Sequence, residues 1–191
     1  MNLPFITDQD FKNKDFTKIK LDKAEYDNCT FTNCNFDSCY LSAFSFLECE
    51  FIDCNLSLVK INETIFKDTT FTNCKMIGFP VSEINTFLLS ITFKSCNLQL
   101  ANFVNTNLKH TTFMACNFNQ TDFSNANLLG SSFNNCNFLN AVFNTTNLEK
   151  CDFTSAKNIS LIPENNKLKG AKFSKYNLEG LLAHYKLIIT E

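Results

Sequence analysis

The sequence predicts an all-β solenoid, one chain wound as a square coil of stacked parallel strands, on the strength of three observations. Phe11, Phe31, Phe51 and Phe71 lie 20 residues apart, as do Phe93, Phe113, Phe133, Phe153 and Phe173, with one slip of two residues between Phe71 and Phe93. Within each 20 runs a beat of five: all 14 positions at that spacing from Phe11 to Met76 are apolar, and so are all 13 from Phe93 to Phe153. Two residues before each of these lies a position held mostly by small side chains, among them Ala24, Cys29, Cys34, Cys39, Thr64, Thr69, Ala101, Thr106, Cys116, Ala126 and Ala141.

Each observation fixes one feature of the coil. A column of identical large residues means that the chain returns to the same place once per repeat. A period of five matches neither the 3.6 of a helix nor the 2 of an ordinary strand. Four fives close one turn, a square with one large apolar residue pointing inward from each side, and turns stack about 4.8 Å apart. Little room remains once four large residues meet at the axis, so the second inward position takes side chains that fill a gap without polar cost. The residues between are Asn, Asp, Ser, Thr and Lys, as an outer surface requires.

In chain order the prediction is an N-terminal cap over residues 1–10, about eight coils of four pentapeptides over 11–175, and a C-terminal segment over 176–191. The 162 residues from Phe11 to Phe173 make eight turns of 20 plus two, a rod roughly 38 Å long at strand spacing. The extra two fall in an irregular stretch, 77–92, where Thr86 stands on an apolar beat and Phe87 or Leu88 is expected to take its place. That stretch reads as a two-residue bulge or as a partner-binding loop, since bulges re-aim the chain. Asn158 and Pro163 also fall on central beats, yet Leu168 and Phe173 return on schedule, which predicts an irregular turn of unchanged length. Beyond it Leu178, Leu181, Leu182 and Tyr185, at i, i+3, i+4 and i+7, share one face of a short helix, and Leu187-Ile188-Ile189-Thr190 reads as a strand. A solenoid must cover its last apolar turn, so capping is one role for this tail.

Composition argues against chemistry. All ten cysteines occupy the small inward position, where free cysteine acts as a small hydrophobe, and their spacing of five or 20 matches no zinc-ligand pattern. His110 falls on an outward corner and His184 in the tail, and the pattern sets no nucleophile beside either, so both read as solvated surface residues. Four glycines form no phosphate loop. A rod offers no deep concave pocket for an active site. The expectation is a protein that is not an enzyme and takes no cofactor and no metal. The opening residues lack a positive stretch followed by a long apolar one and no span suits a membrane, so the expected location is cytoplasmic.

Charge is distributed unevenly. Residues 24–59 carry six acids and no lysine, whereas from Ser95 to Leu148 the only charged residues are Lys109 and Asp122. In the square coil Asp8, Glu48 and Asp68 share one outward column and Asp10 and Glu50 another around the corner, which makes an acidic edge of Glu48, Glu50, Asp53 and Asp68. With no arginine and a net charge of −2, direct nucleic-acid binding is not expected. The acidic edge is either an imitation of DNA phosphates or a solvated face that keeps the rod soluble.

The triplets Ala126-Asn127-Leu128, Ala101-Asn102-Phe103, Thr121-Asp122-Phe123 and Cys34-Asn35-Phe36 resemble, over about residues 10–178, the repeat of pentapeptide-repeat proteins. The resemblance implies their right-handed quadrilateral parallel β-helix. The tail, from Leu168-Lys169-Gly170-Ala171-Lys172-Phe173 through Tyr176 and Leu181-Leu182 to Ile188-Ile189, is similar to the end of Qnr-type quinolone-resistance proteins. That similarity implies a non-catalytic DNA mimic that binds DNA gyrase or topoisomerase IV. It also implies a two-fold homodimer through Leu178, Leu181, Leu182, Tyr185 and Ile188. Two departures are visible: Gram-negative Qnr-type members carry two projecting loops where this chain has only the interruption at 77–92, and strong DNA mimics are acidic along their whole length. The alternative is a scaffold for another protein with no topoisomerase role.

Overall fold

Every fifth residue turns a corner in the left-handed backbone region. In the computed structural model, which describes residues 3–188, φ lies between 49° and 60° at nearly every such position from Asp8 to Asn158, and glycine takes the corner at 78, 130 and 170. L-residues enter this region at a cost that Asn, Asp and Gly bear most easily, and these types hold most of the corners, Asn13, Asn28, Asn33, Asp53, Asn73 and Asn125 among them.

Between corners the chain runs as short rungs. In chain order these are β1 (Phe5–Thr7), β2 (Asp10–Lys12), β3 (Glu25–Asp27), β4 (Thr30–Thr32), β5 (Ser45–Leu47), β6 (Glu50–Ile52), β7 (Ile65–Lys67), β8 (Thr69–Thr72), β9 (Ile91–Lys94), β10 (Thr112–Met114), β11 (Ser132–Asn134), β12 (Asp152–Phe153) and β13 (Lys172–Phe173). All pairing is parallel and in register one coil apart. One side of the square is a nine-stranded sheet from β2 to β13, and another is a four-stranded sheet in the order β1-β3-β5-β7. The other two sides are held by single bridges such as Asn97↔Asn117 and Asn102↔Asp122. The first rung, Phe5↔Glu25, already lies inside the segment expected to be a cap.

The inward positions form the core. Phe113 pairs in register with Phe93 and Phe133, and its ring stacks on theirs at 5.7 and 5.0 Å, with interplanar angles of 7° and 2°. Neighbouring columns meet edge-on, as Phe113 does with Phe118 at 5.4 Å, so each ring sees favourable stacked and T-shaped partners. Nine of the ten cysteines are buried, Cys39 is half-buried, and all are free thiols.

The small inward position does more than fill space. Cys54, Cys74 and Cys96 donate from Sγ to the carbonyls of Phe31, Phe51 and Phe71, at 3.2, 3.3 and 3.4 Å. Thr64, Thr121, Ser131 and Thr146 donate likewise to Leu41, Leu98, Leu108 and Phe123, at 2.7–2.9 Å. Where a thiol or hydroxyl stands there it can also donate to a buried carbonyl on the coil before, while Ala24, Ala101 and Ala126 only fill the space. The outer asparagines are also tied. Asn117 donates to Asn97 Oδ1 at 3.0 Å and accepts from Asn137 at 3.3 Å, and its Oδ1 accepts the Asn119 N–H at 3.2 Å, closing an Asx turn.

The interruption differs from expectation. Asn85 and Ser90 keep their bonds to the Thr64 and Phe66 carbonyls, but with two residues too many the chain between them arches outward. Phe87 and Leu88, one or other of which is expected inside, are 68 % and 56 % exposed, and Leu89 is the residue that returns to pack on the core. The turn around Asn158 keeps its length as predicted: Asn158 takes a corner, Ile159 and Leu161 go inside, and Asn166 fills the small position. There its Oδ1 accepts from Thr146 N–H at 2.9 Å, while Nδ2 donates to the Phe143 carbonyl at 3.2 Å.

Three substitutions compared by denaturant titration test this layering. Phe113→Ala should cost about 3–5 kcal/mol, Ser131→Ala about 1–2 kcal/mol through the orphaned Leu108 carbonyl, and Asn117→Ala about 1 kcal/mol. Equal losses would contradict the assignment of inside and outside. The thiols supply a pH test: burial pushes Cys49 and Cys151 up to about 12. The folded state then keeps protons that unfolded thiols release above about pH 8.5, so stability should be intact below that value and fall progressively as pH rises toward 12. In folded protein at neutral pH the nine buried thiols should react with a thiol reagent only on unfolding.

Candidate functional site

The corners that shape the coil also aim the carboxylates. Glu48, Asp53 and Asp68 are themselves left-handed corner residues, with φ of 51°, 55° and 50°, and Glu50 opens β6 between the first two. Backbone bonds pin three of the four positions: Glu48 N–H donates to Lys67, Glu50 N–H to Cys29 and Asp53 N–H to Thr72, at 2.9–3.0 Å. With the main chain held, the side chains point to solvent, and all four are exposed. The register Leu47↔Lys67 makes Glu48 and Asp68 successive members of one column.

Few of these charges are compensated. Among the described residues the ion pairs are Lys12–Asp10, Lys18–Asp15, Lys172–Asp152 and His184–Glu164, at 3.2, 2.9, 3.6 and 3.3 Å, and none involves the four acids of the edge. Asp10, a member of the predicted stripe, is therefore partly neutralised. Asn73 donates to Asp53 Oδ1, and Asn28 donates to Asp8 at 2.7 Å, so asparagines continue the columns where acids are absent.

At the other end a helical turn from Lys175 to Asn177 leads into α1 (Leu178–Leu182), with Ser174 and Asn177 forming a reciprocal cap. Asn177 is buried and donates to the Ala156 carbonyl at 3.1 Å. Gly180 lies so close to the last coil that a Cβ there would sit 1.8 Å from the Ile159 carbonyl oxygen, so glycine is required for the contact. Leu181 packs on the core, while Leu178, Tyr185, Leu187 and Ile188 remain exposed. Leu187 and Ile188 are not in a strand, and Ile189 and Thr190 of the predicted strand lie outside the described residues. His184, expected to be solvated, instead pairs with Glu164, which also accepts a hydrogen bond from the Tyr185 hydroxyl, tying the tail to the turn at Pro163–Asn165. His110 stands on a corner with its ring over Gly130.

Among the described residues no group of three or more His, Cys, Asp or Glu is placed to hold a metal ion, and no helix is long and apolar enough to cross a membrane.

Residues 86–157 match the family model described as a pentapeptide repeat region. Two trypsin-treated variants of QnrB1, a plasmid-mediated fluoroquinolone resistance protein, share the architecture. The first is 19 % identical with a TM-score of 0.70, covering 98 % of this chain and 92 % of that one. The second is 18 % identical with a TM-score of 0.65, covering 97 % and 100 %. A search of curated proteins finds no match. The chain carries a pentapeptide repeat region and winds, through its described coils, as the right-handed quadrilateral β-helix of pentapeptide-repeat proteins.

Proposed function

We propose that this chain is a non-catalytic interaction protein that binds a type II topoisomerase, DNA gyrase or topoisomerase IV, by presenting carboxylates in place of DNA phosphates. The observation that carries the reading is the unpaired acidic edge of Glu48, Glu50, Asp53 and Asp68, exposed on consecutive coils. Coils spaced about 4.8 Å apart set these charges at a pitch comparable with the roughly 3.4 Å of axial rise per phosphate of one DNA strand. An enzyme that grips DNA through cations would meet the same sign of charge on this rod. The likeness in fold to QnrB1, a fluoroquinolone resistance protein, supports a protein-binding role. Because the coils from Ser95 to Leu148 are nearly uncharged, contact through that stretch rests on shape and hydrogen bonding.

The second part of the reading is a homodimer through the exposed apolar side chains of the tail. Leu178, Tyr185 and Ile188, with Leu181 and Leu182 behind them, would join two rods end to end about a two-fold axis.

Two measurements test these statements. Purified protein should alter gyrase supercoiling and its fluoroquinolone sensitivity in a salt-dependent way, since both ligands would satisfy the same cations. Replacing Glu48 and Glu50 by Lys should abolish the effect with stability changed by less than about 0.5 kcal/mol. No effect on supercoiling at about tens of micromolar protein and low salt would remove the mimicry reading and leave the scaffold. Separately, light scattering should give a dimer that Leu178→Glu, at an exposed position, converts to a monomer; a monomeric wild type would rule out the tail contact.

A further inference from the structure

The first coil comes apart from the second along one side of the square. At the equivalent place one coil later, Lys60 N–H donates to Cys39 and Leu41 N–H to Lys60, while Ser38 and Ala43 N–H donate to Ser57 and Asn62. The corresponding bonds from the second coil back to the first are missing. Tyr40 N–H does not reach Ile19, and the carbonyls of Asp37, Tyr40 and Ser42 receive nothing from Lys18, Leu21 or Lys23. Tyr40 bridges to Lys60 on its other side, with no bridge to Lys20.

The cause is local. Lys18 and Lys23, which should turn the corners, do not have the positive φ seen at the corners that follow. Asp15 holds the chain on another course: its Oδ1 accepts the Thr17 N–H and hydroxyl at 3.2 and 2.6 Å, its carbonyl accepts the Lys18 and Ile19 N–H, and its carboxylate pairs with Lys18 at 2.9 Å. Ile19, too large for the small inward position, lies half outside. The displaced chain is steadied where Tyr26, which stands in a column with Phe46 and Phe66, donates its hydroxyl to the Asp22 carbonyl at 2.7 Å.

What remains is an open cleft of about 510 Å³ whose apolar lining is Phe16, Ile19, Leu21, Cys39 and Tyr40, with Lys18 and Lys20 facing Asp37 across it, and along which one backbone donor and three acceptors of the second coil stand free. Tyr40 flanks them, 80 % exposed. We propose that this edge receives an extended segment of a protein partner with apolar side chains, which pairs with residues 37–42 in the register left empty by residues 17–23. The free groups are main-chain groups at strand spacing, which suit a peptide strand adding to the sheet. The apolar character follows from the cleft wall, where Phe16, Ile19, Leu21 and Tyr40 lie, whereas a cationic strand would meet Lys18 and Lys20 in the cleft and Lys60 beside Tyr40 in its column.

The test uses the full chain and a synthetic peptide with the sequence of residues 99–106, a regular rung from the same side of the coil. In ¹⁵N spectra the peptide should shift the amides of residues 37–42 and slow hydrogen exchange at Tyr40. Backbone N-methylation of the peptide should weaken binding at least about tenfold. Tyr40→Pro should lower Tm by no more than about 2 °C, because the lost N–H has no partner, and should abolish binding; Lys60→Pro, which removes a bonded N–H, should lower Tm by about 10 °C. Proline already stands in this column at Pro80. The proposal is overturned if Tyr40→Pro destabilises as Lys60→Pro does. It is equally overturned if N-methylation changes nothing, or if Tyr40 stays unshifted at about millimolar peptide. Shifts at Tyr40 that grow with protein concentration alone would mean that the edge pairs with a second copy, which also contradicts it.

Discussion

The left-handed residue at each corner is the constraint on which the rest of the structure depends. A square coil needs a sharp turn after every fifth residue, and the chain makes it by placing one residue per turn at φ near +55°. Once the corner is set, the next three residues run as a rung, the small and the large side chains fall inward, and the next coil lies in register above. Where corners fail, pairing fails with them: Lys18 and Lys23 do not take the conformation, and that side of the first coil separates from the second.

Interior and exterior then answer to different demands. Inside, the stacked rings of Phe113 and Phe133 supply burial, and thiols and hydroxyls at the small position donate to buried carbonyls of the coil before. Outside, asparagine ladders bond coil to coil. Functional side chains sit in the positions these demands leave free. Glu48 and Asp68 occupy corners, where only backbone conformation is constrained and the side chain is directed to solvent, so acids can gather there without disturbing the core.

Much of this was legible in the residues. The phenylalanine column fixed the repeat, the beat of five fixed the square, and Leu178 to Leu182 marked the terminal helix. The arch was misread at Phe87 and Leu88 because periodicity says that an apolar residue is due but not which one returns after an outward detour; Leu89 does. The donor role of Cys54 and Thr121 was hidden because size alone accounts for their spacing, and the carbonyls they serve belong to coils 23 residues back. The bond from His184 to Glu164 and the separation of residues 17–23 depend on particular contacts in space, which a repeat pattern does not encode. The acidic edge was visible as a column, whereas the pairing of Asp10 with Lys12 was not.

The corner constraint is tested most directly by the unfolding free energies of two reciprocal single variants, Thr145→Asn and Asn125→Thr. Both positions are exposed corners, with φ of 56° and 59°, and neither side chain makes a hydrogen bond that would confuse the comparison. A β-branched residue is poorly suited to this region and asparagine is well suited. The account predicts a gain of about 1 kcal/mol for the first and a loss of about 1 kcal/mol for the second. Changes near zero in both, or of the same sign, would contradict it.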